Sequence, residues 1–146
     1  MLVDKIKDDV KEAMKAKDSR RVETLRFLLS EVKNVGINEK RELDDPVVLG
    51  VIQKLSKQRR EGIEQFREAG RADLVAKEEA ELALLGSYLP QQLTDAELED
   101  RLRGLAAECG ATSRKDMGKV MKVAMERLAG MAEGKRVQSF VQKILS

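Results

Sequence analysis

Apolar positions recur along this chain at intervals of three and four, the spacing that gathers side chains on one face of an α-helix. Ile6, Val10, Ala13 and Met14 share a face and predict a first helix from about Val3 to Ala16. Asp18 or Ser19 supplies a side-chain oxygen for free amide hydrogens, opening a second helix with Val22, Leu25, Leu28, Leu29, Val32 and Val35. Gly36 weakens its end, and the stretch to Glu42 either frays or continues as helix. Asp45-Pro46 reads as a restart, with Asp as cap and Pro at the first helical position. The third helix runs to Ala69, where Gly70 ends it, and a fourth covers Asp73 to about Ser87, ahead of Pro90.

Residues 91–94 look like a boundary. Thr94 followed by Glu97 forms a capping box, opening a helix with Leu98, Leu102, Leu105 and Cys109 on one stripe, closed by Gly110. Ser113 and Asp116 repeat that pattern ahead of Met117, Val120, Met121, Ala124 and Leu128. After a break at 130–134, Val137, Phe140, Val141, Ile144 and Leu145 mark the last helix. The expected fold class is therefore all-α: a four-helix part over 1–92 and a small three-helix domain over 93–146.

Composition agrees with that pattern. Aromatic residues make up 3% of the 146, and the chain favours Leu, Ala, Lys, Glu, Met and Arg, the better helix formers. It has no His, which removes the usual general base near neutral pH and the commonest metal ligand. Cys109 is the only cysteine, so an internal disulfide or thiolate metal cluster is excluded. No phosphate-cradling glycine loop and no nucleophile elbow is present. The expectation is a non-catalytic chain without metal or cofactor. The run Glu78, Glu79 and Glu81 reads as a solvated helix face, and Cys109 as a small core hydrophobe. The first residues lack a leader-like apolar stretch, and no run approaches the roughly 20 apolar residues of a membrane span. A soluble, cytoplasmic protein is expected.

Charge is balanced overall at +2 but unevenly placed. Residues 1–92 carry 18 basic and 18 acidic side chains, residues 93–109 two and five, and residues 110–146 eight and three. The C-terminal excess comes from Arg114, Lys115, Lys119, Lys122, Arg127, Lys135, Arg136 and Lys143. Lys115, Lys119 and Lys122 fall at i, i+4 and i+7, so they share a helix face. Rows of cations of this kind hold phosphates. From charge alone the plainer reading, a wet face opposite the apolar stripe, is favoured. The run Lys57-Gln58-Arg59-Arg60 is read as a salt-bridged surface, with Lys57 paired to Glu61 and Arg60 to Glu64 along the helix.

Three segments carry a resemblance. They are Thr24-Leu25-Arg26; Lys57-Gln58-Arg59-Arg60-Glu61 with Ala69-Gly70-Arg71-Ala72-Asp73-Leu74 and Tyr88-Leu89-Pro90; and Ser113-Arg114-Lys115-Asp116-Met117-Gly118-Lys119-Val120-Met121. In this order and spacing they resemble the GatB/YqeY family, specifically its stand-alone YqeY-like members. One departure is Glu133-Gly134-Lys135, where the family usually has Asp before Gly-Lys. The resemblance implies an all-α fold and a likeness to the tail of the GatB subunit of aspartyl/glutamyl-tRNA amidotransferase. That tail helps hold tRNA while the catalytic centres lie in other domains. The family label, a carbon–nitrogen ligase with glutamine as amido-N-donor, is thus not expected as intrinsic activity. What the resemblance carries over is tRNA as partner, with a tRNA-modifying or synthetase complex beside it. The implied RNA-facing residues are Arg114, Lys115, Lys119, Lys122, Lys135 and Arg136. A helical protein-interaction module without RNA binding is the alternative, and an amidotransferase-related enzyme a third reading.

Overall fold

The computed structural model describes residues 1–146, all of whose regular structure is helical. The helices are α1 (Leu2–Lys15), α2 (Ser19–Glu39), α3 (Asp45–Glu68), α4 (Ala72–Gly86), α5 (Asp95–Glu108), α6 (Met117–Arg127) and α7 (Gly134–Leu145). A single 3-10 turn, Arg114–Asp116, precedes α6. The chain divides into two compact units, Met1–Leu89 and Pro90–Ser146.

In the first unit α1 packs on α2 and α3 on α4. Ile6, Leu25, Leu28, Val48, Ile52 and Leu85 are fully buried in one core. Three helices in the chain end in the same way. After α3, Gly70 takes a left-handed φ of 70°, its N–H donates to the Arg67 carbonyl and that of Arg71 to the Phe66 carbonyl. Gly110 closes α5 with the equivalent pair to Ala107 and Ala106. These closures use carbonyls that a helix end would otherwise leave unpaired. After α1 the left-handed position falls to Lys17, with φ of 57°, and the bonds run to Met14 and Ala13. A Cβ there costs what glycine avoids.

Two local readings need correction. The cap of α3 is Asp44, whose carboxylate accepts the Val47 N–H at 3.0 Å, and Asp45 is already helical. The Asp45 carboxylate instead accepts the Leu2 N–H at 2.9 Å, joining the starts of α1 and α3. The acidic run on α4 is not a solvated face. Glu81 and Glu78 lie 2.7 and 3.4 Å from Arg59 Nε of α3, and Glu79 lies 3.4 Å from Arg67. Arg59 also covers the Phe27 ring at 5.6 Å. It therefore acts between helices rather than along one, because its stem is drawn down between α2 and α4.

The second unit packs α5, α6 and α7 on one another around Leu98, Leu102, Val120, Ala124, Val137 and Val141. Thr94 accepts the Glu97 N–H and the Glu97 carboxylate accepts the Thr94 N–H, a complete capping box. Cys109 caps the C-terminus of α5 and is half-buried against this core. No helix of the chain is long and apolar enough to cross a membrane.

Candidate nucleic-acid interface

The surface of interest is the outer face of α6 and the turn before it. Asp116 holds that turn. Its carboxylate accepts the N–H groups of Thr112 at 3.0 Å and Ser113 at 3.4 Å. Those bonds, the Thr112 bond foremost, hold its carboxyl below the usual aspartate range, with Lys119 contributing a smaller attraction. The segment thus enters α6 through a 3-10 turn rather than an α-helix beginning at Ser113. Two tighter steps rotate Lys115 by about 40° from its ideal α-helical position, so it still faces the same side as Lys119 and Lys122.

Val120, Ala124 and Leu128 are buried and Met117 and Met121 half-buried, which leaves the opposite face to solvent. Arg114, Lys115, Lys119 and Lys122 are all exposed, as is Gly118 between them. None of the four cations forms an ion pair within 4.0 Å, and neither does exposed Lys135 on the first turn of α7. Asp116, beside Lys115 and three positions before Lys119, is taken up by the Thr112 and Ser113 N–H groups, and Glu126 lies one turn beyond Lys122.

Other cations of the unit behave differently. Arg103 and Lys143 both lie 3.2 Å from Glu99, and Arg127 pairs with Glu108. Arg101, also without an ion pair, stands on the acidic helix α5. Arg136 is the site residue that the structure separates from the rest. Its Nε donates to Asp95 at 2.9 Å and its Nη2 to the Leu93 carbonyl at 2.7 Å. The same stretch of chain is held by the Leu93 N–H on the Met131 carbonyl at 2.9 Å and by Gln92 Nε2 on the Gly130 carbonyl at 2.6 Å. Arg136 is therefore a clasp between the start of α7 and the entry to α5. Its bond to Asp95 spans 41 residues, and no local pattern announces it.

Lys135 belongs to a different flank. A methyl group on neighbouring Gly134 would lie 3.7 Å from Met125 Cε, at the side of α6. Glu133 caps α7 through its carbonyl, which accepts the Val137 N–H at 3.0 Å, and its side chain makes no cap bond. Chemically, the α6 face offers fixed positive charge and bare backbone. No cluster of three or more Cys, Asp or Glu in the chain is placed to hold a metal ion.

The geometry defines a two-unit, all-helical protein whose second unit keeps a row of unpaired cations outward. The chain belongs to the Yqey-like protein family, whose model matches residues 3–145. Among curated relatives it is similar to "Altered inheritance of mitochondria protein 41, mitochondrial" of several fungi. The Lachancea thermotolerans protein is 38% identical over 106 residues, covering 70% of this chain and 57% of that protein. The Vanderwaltozyma polyspora protein is 36% identical over 120 residues, covering 77% and 64%. The Pyrenophora tritici-repentis protein is 31% identical over 147 residues, covering 99% and 81%. The match thus spans about three fifths of the first two relatives' length.

These names correct the expectation of a cytoplasmic protein, since the relatives are named as mitochondrial. That expectation rested on the charged first residues of the sequence and on the want of an apolar run long enough to span a membrane. Any aqueous, reducing compartment asks the same of a folded surface, so composition does not separate one from another.

Proposed function

We propose that this chain is a non-catalytic, tRNA-binding accessory protein, related in role to the tail of the GatB subunit of tRNA amidotransferases. The observation that carries the reading is the row of exposed cations with no ion pair within 4.0 Å at Arg114, Lys115, Lys119 and Lys122, with Lys135 on the next helix. An ordinary wet face intersperses both signs, as α5 and its partners do through Glu99 and Glu108. Phosphate-binding surfaces instead keep cations unpaired, because released counterions supply the driving force. Arg136 is left out of this interface. The names of the relatives favour a mitochondrial setting. The ligase label attached to the GatB complex belongs, on this reading, to that complex's other domains.

The test is to recover RNA bound to the full chain in cells and to sequence it, beside a variant with Lys115, Lys119 and Lys122 changed to Glu. Enrichment of tRNA with the native chain, lost in the variant, is expected. Equal recovery from both would contradict the reading. A second reading, a protein-docking module, draws on an open groove of about 600 Å³ in the first unit, lined by Met14, Val22, Lys17 and Arg26. It gains if no RNA is enriched.

A further inference from the structure

We propose that the α6 face takes the backbone of a paired RNA strand, without reading bases, and that Gly118 is its point of closest approach. This inference rests on the RNA-binding reading above and names the class of RNA that fits.

Lys115, Lys119 and Lys122 form a row about 10 Å long, one residue per turn or so. Such a row matches successive phosphates of one strand, which lie a few Å apart along a duplex. Lysine meets phosphate as a compact point charge, and the deep, narrow major groove of paired RNA keeps most base edges out of its reach.

Just as telling is what the unit lacks. Readers of unpaired RNA stack bases on exposed aromatic rings. The only aromatic residue in 90–146 is Phe140, which packs against the core with Lys143 5.9 Å over its ring. The unit offers no free ring as a stacking platform, whereas phosphate and sugar contacts suffice to hold a duplex by shape.

Gly118 is exposed in the first turn of α6, its φ is not left-handed, and a Cβ there would meet nothing within 4 Å. Neither packing nor backbone strain in this fold asks for glycine, and alanine is the better helix former. The missing side chain leaves bare backbone in the middle of the cation row, where a sugar–phosphate chain can sit close. Gly104 of α5 is also exposed and open, but it stands on the acidic helix, which makes it the matched control.

The experiment uses the full chain and a fluorescein-labelled RNA hairpin, displaced by three unlabelled probes. Two are RNA duplexes of unrelated sequence, and the third is a polyuridine strand with the same number of phosphates. The two duplexes should compete equally, and the single strand more weakly. Gly118→Ala should lose hairpin affinity severalfold while Tm holds or rises. Gly104→Ala should leave affinity unchanged with the same direction in Tm. Competition by polyuridine as good as by duplex, or preference for one duplex sequence, would overturn the backbone reading. Native affinity in Gly118→Ala would overturn the close-approach role. If polyuridine wins and the Lys115, Lys119 and Lys122 triple variant still loses binding, this inference alone falls. If the native chain binds none of the probes, the RNA-binding reading falls with it.

Discussion

Replacing Arg136 by Gln removes both its hydrogen bonds while keeping helix propensity near the start of α7. The bond to Asp95 counts for little, because that carboxylate's side chain is 77% exposed and exposed pairs contribute under about 1 kcal/mol. The bond to the Leu93 carbonyl matters more. It is partly buried at 2.7 Å, and an acceptor left unsatisfied costs about 1–3 kcal/mol. Leu93 stays pinned by its own N–H on Met131, so the chain has no freedom to carry the orphaned carbonyl out to water. A destabilisation of about 1–2 kcal/mol follows, worth roughly 8–16 °C in Tm for a unit of this size. The assay is maleimide labelling of Cys109 across a urea series, since the only cysteine sits half-buried against the core of that unit. The Arg136→Gln protein should label at lower urea than native, whereas Lys119→Gln should coincide with native. An unchanged midpoint in Arg136→Gln, together with RNA affinity reduced as in the lysine variants, would refute the clasp and return Arg136 to the interface.

Lys17→Gly should raise stability by up to about 1 kcal/mol, read as a higher urea midpoint, because it relieves the left-handed Cβ after α1. Tyr88 donates to Asp9 at 2.5 Å; that bond first, and Lys5 after it, lowers the Asp9 carboxyl, while burial and then Asp9 raise the Tyr88 hydroxyl. Since the Asp9 pKa is depressed on folding, its stabilisation is full above the ordinary aspartate value of about 4 and fades as pH falls through the lower folded one. Tyr88→Phe should thus cost about 1–2 kcal/mol at pH 7 and less at pH 3, by urea melts at both. Residues 90–146 expressed alone should show helical circular dichroism with a shallow, low-temperature melt, because a core this small leaves only a few kcal/mol; a coil spectrum would show that they do not fold alone.

What is legible in the sequence is local. The Thr94–Glu97 box, the Gly70 and Gly110 stops and the Asp18 cap each depend on residues within a turn or two, and each forms. The α3 cap shifts by one residue from its expected place because Asp44 and Asp45 are chemically equivalent, and only the chain's path assigns one to the cap and the other to Leu2. The interactions that escape a sequence reading are long-range. Arg136 with Leu93, Arg59 with Glu81, and Tyr88 with Asp9 lie 43, 22 and 79 positions apart. The resemblance nominates Arg136 for the RNA-facing surface, but only its tertiary partners show that its guanidinium is occupied. Lys119 and Lys122 of α6 and Lys115 of the turn before it are all exposed, although the 3-10 turn departs from the continuous helix that the i, i+4, i+7 spacing assumed. That none of the three forms an ion pair within 4.0 Å can be read only from the folded chain.

The most direct test of tRNA binding by the α6 face is the salt dependence of tRNA affinity for the native chain against the variant with Lys115, Lys119 and Lys122 changed to Gln. Anisotropy of labelled tRNA, titrated at several salt concentrations, gives the log–log slope. Weaker binding is expected in the variant, with a slope shallower by up to about 0.9 for each phosphate no longer neutralised, nearly three for the triple change, and its urea midpoint unmoved. Changing Lys57, Arg59 and Arg60 to Gln should alter the slope far less, since Arg59 already faces Glu78 and Glu81. The same affinity and slope in the α6 variant as in the native chain would contradict RNA binding through this face.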